Sequence, residues 1–346
     1  MNRKGNGRPA AAGIIILVLC LLTAQGMLLS PAGETERELR MKNVIMPEIS
    51  ENTEKIQTAC SLPDPAEPEP ETDVPGKTEM KPKILSRVME TVWDEEILET
   101  TIQGGLSIKN ATSYEVNAAE LLRKGPSLRL SANGPQILII HTHGSEAYTQ
   151  AGLDHYEEND DHRTADAGHS IIRIGDELTD LLQEAGLDVI HDREIYDYPS
   201  YTGSYTRSGE AVKKYLEKYP DISVVFDIHR DALGADGTVY KTMAEEEGVC
   251  ASQIMLLTGS DDSGLSHPDW RENLAFALYL QNAVSSRHPS LMRPVSLVRE
   301  RYNLHLTGGS LIIEVGSSGN TLQEALAAIR LFADAAAPAL LALQDE

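Results

Sequence analysis

The chain has 346 residues, 41% of them hydrophobic, and a formal net charge of -23. That length allows one large domain or two ordinary ones. The acidic balance excludes nucleic acid as a partner, since phosphate binding needs clusters of Lys and Arg, and it disfavours docking on anionic lipid. Three cysteines, Cys20, Cys60 and Cys250, form neither a metal spacing nor a disulfide framework; Cys60 and Cys250 could pair, but two unrelated thiols are expected.

Residues 1–9 carry Arg3, Lys4 and Arg8 and no acid. Residues 10–30 are apolar or small and uncharged, enough to span about 30 Å at helical rise. With the basic flank first, this reads as a retained transmembrane anchor, its tip cytoplasmic and the rest of the chain outside. A cleaved signal peptide fits less well, because the stretch is long and shows no clear cleavage site. Residues 31–82 alternate proline with acid around Pro63–Glu71 and read as an extended spacer.

Residues 83–130 are expected to be a leading segment packed on the domain, with a strand pair or helix, a strand from Gly105, and a short helix from Asn117. The domain proper is expected over 131–346. Ile137–Ile140 is a short apolar run after Gly134-Pro135 and predicts a strand buried on both faces, as in a parallel sheet. It runs into His141, His143 and Glu146. Positions two apart on a strand share a side, so both histidines are expected to point one way. Two imidazoles and a carboxylate at one strand end are what a zinc ion needs.

A polar loop follows, with His155, His162 and His169. Ile171, Ile174, Leu178 and Leu182 then repeat at helical spacing up to Gly186, and Leu187–His191 is the next strand. This βαβ unit predicts an α/β fold, a mostly parallel sheet flanked by helices. The tyrosine-rich stretch Tyr196–Tyr205 reads as a loop that could line a groove for a sugar or peptide. Helix is expected over Ser208–Tyr219 and strand over Ile222–His229. Met255–Leu257 should be a strand, Trp270–Val284 a helix, and Val295–Val298 a strand near the sheet edge. Ser310–Gly316 is a strand interrupted by Glu314. Thr321 and Glu324 have capping-box spacing ahead of a closing helix.

Three apolar strands thus end in His141/His143, His229 and Glu314. Ligands of parallel α/β sheets bind outside the carboxyl ends of the strands. A carboxylate such as Glu314 is costly to bury without a purpose. Together these residues point to a catalytic zinc site. Asp227 shares a face with His229 and is a candidate to orient it. Ser145 as a nucleophile is weaker, lacking the nucleophile-elbow context.

At these positions the chain resembles the stage II sporulation protein P family of endospore-forming bacteria, related to zinc-dependent N-acetylmuramoyl-L-alanine amidases. The resemblance is carried by Gly134–Tyr148, Ile172–Leu178, Tyr198–Ser208, Asp227–Asp231 and Leu311–Gly316, in that order along the chain. It implies a membrane-anchored peptidoglycan hydrolase acting in engulfment, with His143 and His229 as zinc ligands and Glu314 as the catalytic carboxylate. The wider family's remaining Glu ligand stands where this chain has Gly168-His169-Ser170. That ligand is therefore left among Glu146, His141 and His169. Arg230 is expected to meet a substrate carboxylate or a neighbouring acid. The resemblance also implies stage II sporulation proteins D and M as partners, and allows endopeptidase activity on the cross-links. The rival readings are a murein-binding scaffold without activity and a zinc peptidase acting on stem peptides alone.

Overall fold

The computed structural model describes residues 95–99, 105–149, 162–235, 238–246 and 248–345. The expected anchor and acidic spacer, and His155, lie outside these residues. Eight strands form the main sheet. They are β1 (Glu95–Glu99), β2 (Gly105–Asn110), β3 (Ile137–Ile140), β4 (Val189–His191), β5 (Val224–Asp231), β6 (Ile254–Thr258), β7 (Val295–Leu297) and β8 (Gly309–Ser317). The helices are α1 (Ala118–Lys124), α2 (Ile171–Glu184), α3 (Ser204–Lys218), α4 (Trp270–Arg287) and α5 (Leu322–Leu341).

Across the sheet the order is β1-β2-β7-β6-β8-β5-β3-β4. Five adjacent pairs are parallel; β1/β2 and β6/β8 are antiparallel. The expected mixed α/β fold with a mostly parallel sheet is what the chain adopts. Two positions in it differ from expectation. β7 is interior, because β2 pairs with its outer side, and so the segment expected to pack on the domain supplies two strands of its sheet. Such pairing between distant segments leaves no local sequence signal.

The strands alternate between the two faces with period two. Ile137, Ile139, Phe226, Ile228, Leu311 and Ile313 join one large core with buried residues of α2, α4 and α5. Leu138, Ile140 and Val225 face the other way, against Val212 of α3, and Leu257 and Ile312 meet Leu304 on the turn Leu304–Leu306.

Helix boundaries follow the local chemistry. Ser170 caps α2, accepting from the Ile172 amide, and Gly186 leaves it at φ +101°, a left-handed value that suits glycine. The capping box of α5 forms as its spacing predicts, Thr321 accepting from the Glu324 amide at 3.2 Å and Glu324 from the Thr321 amide at 3.0 Å. α3 begins at Ser204 rather than Ser208, after a left-handed Gly203. Cys250, expected to be an unpaired thiol, is disulfide-bonded.

Candidate functional site

Alternation on β5 puts Val225, Asp227 and His229 on the α3 face of the sheet. The parallel ladder sets Glu314 of β8 beside His229. After Ile140 the chain leaves β3 in a tight turn, in which the Glu146 amide bonds the His143 carbonyl at 3.0 Å. This turn carries His143 to His229, their rings edge to face with centroids 5.2 Å apart. The Glu146 carboxylate lies 3.5 Å from His229 Nδ1. His143, Glu146, His229 and Glu314 are all at most 5% exposed, so they form a buried polar group at the strand ends.

Each imidazole has a carboxylate behind it. Asp227 Oδ1 is 2.9 Å from His229 Nε2, close in distance though not aligned as a hydrogen bond. Asp227 is itself held by the Thr142 amide at 2.8 Å and hydroxyl at 2.6 Å. Asp197 Oδ2 lies 3.8 Å from His143 Nδ1 and accepts from the Ser145 hydroxyl at 2.6 Å and Arg163 Nη1 at 2.5 Å. Tyr201 stacks on His143 at 4.5 Å and 8°, and Tyr205 meets it edge on at 5.4 Å.

The charges are coupled. Burial would raise the Glu146 carboxyl, but Arg230 and His229 overcome this and hold it well below the usual carboxylate range. Burial acts against a charge on His229, yet Asp227 and Glu146 raise it well above the ordinary imidazole value. For Asp227, burial is outweighed by His229 and the Thr142 hydrogen bonds, and the pKa is lowered. His143 is different: burial dominates and lowers it to about 3.

Of the residues expected at the site, the structure gathers His143, Glu146, His229 and Glu314, with Asp227 behind His229. His141 is elsewhere. The strand ends at Ile140, so the rule for positions two apart no longer holds. Its ring is fully buried, with Nδ1 3.1 Å from the Ile228 carbonyl and Nε2 2.8 Å from His191 Nε2. Both nitrogens being engaged, His141 leaves the set of candidate ligands. His169 does not join the group either; its side chain is 76% exposed and bonds Asp166.

Arg230 is turned inward. It is 6% exposed, its Nε and Nη2 donate to the carbonyls of Ala147 and His162, and its Nη1 is 3.8 Å from Glu146. The neighbouring acid is the one it meets. Ser145 donates its hydroxyl to Asp197. Sequence reasoning missed Asp197 and Arg163; both sit in loops without periodicity. The tyrosine loop around Asp197 was the one signal pointing there.

A metal can be tested against this donor set. Among the described residues no group of three or more His, Cys, Asp or Glu is spaced to hold a metal ion as it stands. In kind the set fits zinc: two imidazoles, each with a carboxylate near one nitrogen, and a third carboxylate 3.5 Å from His229 Nδ1. Both His143 ring nitrogens are buried without a hydrogen-bond partner among the described residues. An apolar side chain would fill that place at less cost.

Solved structures of N-acetylmuramoyl-L-alanine amidases are among those to which the chain is similar. AmiC2 of Nostoc punctiforme is 16% identical, covering 61% of this chain and 98% of its own, with TM-score 0.35. The CwlD amidase of Clostridioides difficile, solved with the GerS lipoprotein, is 14% identical, covering 60% and 98%, with TM-score 0.36. The chain belongs to the stage II sporulation protein P family, whose model matches residues 35–337. Stage II sporulation protein P of Bacillus subtilis (strain 168) is 23% identical over 223 residues, covering 61% of this chain. The chain spans about half the length of that curated relative, 53%.

Proposed function

We propose that this protein is a peptidoglycan hydrolase of sporulation that cuts the amide bond between N-acetylmuramic acid and L-alanine. It would be anchored by residues 10–30, with the domain outside the cytoplasm. The observation that supports it best is the buried group His143–Glu146–His229, each imidazole backed by a carboxylate, with Glu314 alongside His229. Family membership supports the sporulation role and a complex with stage II sporulation proteins D and M.

His143, Glu146 and His229 are the residues that would hold zinc, His143 through Nε2 and His229 through Nδ1, the nitrogens turned away from Asp197 and Asp227. A bound zinc supplies Lewis acidity toward the substrate carbonyl and makes a water acidic near neutral pH. Glu314 is the proton carrier. It takes a proton from the water that adds to the lactyl carbonyl carbon, then passes one to the alanine nitrogen as the C–N bond breaks. Asp227 and Asp197 keep the imidazoles oriented, and Arg230 keeps Glu146 ionised.

The test is zinc content and stem-peptide release from purified peptidoglycan by the full chain, beside a His229→Ala variant. About one zinc per chain, free stem peptides with muramic acid left on the glycan, and loss of both in the variant are expected. A zinc-free, inert protein that still binds the wall would establish a scaffold instead. Cleavage confined to bonds within the stem peptides would establish a peptidase.

A further inference from the structure

Outside the group that carries the proposed function lies a second buried histidine pair, His141 and His191. The β3/β5 ladder ends at Ile140 opposite Asp227. Beyond that point the turn bearing His143 and the strand end bearing His229 are no longer joined by ladder pairs. Side chains make the join. One link is Thr142 to Asp227, at 2.8 and 2.6 Å. Another is His141, whose Nδ1 lies 3.1 Å from the carbonyl of Ile228, the residue just before His229.

The hydrogen positions follow from the partners. A carbonyl oxygen can only accept, so His141 Nδ1 carries the hydrogen. The ring is wholly buried, and a neutral ring then has a bare Nε2. At 2.8 Å stands His191 Nε2, which must donate. His191 Nδ1 lies 3.2 Å from Asp176, which Arg193 also bonds. Close polar groups thus run from the partly exposed Asp176 on α2 through His191 and His141 to the β5 backbone beside the site; with its Nε2 donating, His191 bonds the Asp176 carboxylate only when both its nitrogens carry hydrogen.

The pair has shaped the helix over it. A Cβ on Gly175, inside α2, would fall 2.5 Å from His141 Nε2 and 2.6 Å from His191 Nε2. Glycine weakens a helix interior, and here it stands where the two rings need the room.

We propose that His141 is a positioning residue that straps the end of β3 to the Ile228 carbonyl, with His191 fixing its ring, so that His143 and His229 stay opposed. The strap's role in zinc binding and turnover rests on the proposed function; its role in holding the two rings together does not.

The test is made on His191, which lies outside the site. His191→Gln keeps a donor toward His141 Nε2, and His191→Leu removes it. In the full chain, zinc affinity by chelator competition is expected to weaken about 10-fold or more for Leu. Its kcat should fall with KM unchanged, while Gln stays within about threefold of wild type on the same scale. Gly175→Ala presses on both rings without removing either and should follow Leu. Nuclear Overhauser contacts between the His143 and His229 rings in the zinc-free protein should persist in wild type and Gln and be lost in Leu and Ala. Unchanged ring contacts in both Leu and Ala, or an equal loss in Gln and Leu, would overturn the strap. Should Leu fail to fold, Gln against Gly175→Ala decides by the same contacts. A wild type that binds no zinc and frees no peptide removes the proposed function, and the ring contacts still judge the strap.

Discussion

The two faces of the central sheet are built from alternate residues of the same strands, and they do opposite work. On β5, Phe226 and Ile228 point into the core shared with α2, α4 and α5, where Phe226 lies parallel to Phe276 with centroids 6.3 Å apart. Asp227 and His229, between and after them, point to the face of α3. There the apolar contacts of Leu138, Ile140 and Val225 give way to the polar group. The thick face holds the fold together by burial. The thin face holds the chemistry, and its buried charges need hydrogen bonds and counter-charges because a bare one would cost several kcal/mol.

The sharpest test of this division is on the thin face. Under the proposed mechanism Glu314→Gln keeps the shape and the zinc and lowers turnover by about 10²–10⁴-fold, with the unfolding midpoint little changed. Peptide release assayed beside zinc content and urea unfolding checks it. Retained turnover would remove Glu314 from its role, and a large loss of stability would break the division itself. On the thick face the expectation reverses. Phe226→Ala should cost about 3–5 kcal/mol of stability, read by urea unfolding, while the molecules still folded keep zinc and activity within a few-fold.

Arg230 tests the thin face's dependence on compensation. It is one residue from His229, and its guanidinium is spent on Glu146 and on two carbonyls. Arg230→Met should cost about 3 kcal/mol by leaving Glu146 buried without its main cation. Adding Glu146→Gln should recover part of that loss, since the carboxylate is the group left uncompensated. Equal costs for the single and double variants would mean that the two carbonyl contacts, and not the charge, carry the effect.

Much of the thin face was legible in the sequence. The apolar runs of β3, β5 and β8 announce strands, and period two with parallel pairing then brings His229 beside Glu314. Of Glu146, His141 and His169, the structure places Glu146 beside His229. His141 turns to Ile228 and His191 because β3 ends at Ile140, and strand geometry does not extend past that end. Asp197 and Arg163 come from loops, where no periodicity records which side chain returns to the site. The place of β1 and β2 in the sheet was hidden for another reason: β2 meets β7 across more than half the domain, and local composition does not encode such a pairing.

The smallest effect expected lies on the outer side of the thick face, where α2 and α5 are joined by a polar contact. Arg330 Nε on α5 donates to Glu177 of α2 at 2.5 Å, and Arg173 donates to it at 2.7 Å. The Arg330 hydrogen bond, against a smaller opposing effect of burial, lowers the Glu177 pKa below its ordinary 4.5. A carboxylate with a depressed folded pKa stabilises fully above its unfolded value, and the gain fades as pH falls through the folded one. Because Arg330 is 55% exposed, solvent screens the pair. Glu177→Gln should therefore cost no more than about 1 kcal/mol at pH 7, and the gap from wild type should close as pH drops below 4.5. Urea unfolding of both proteins across that range measures it. A gap much larger than this, or one that widens in acid, would mean that the helix layer of the thick face depends on its polar links as the thin face does, and that apolar burial alone does not hold it to the sheet.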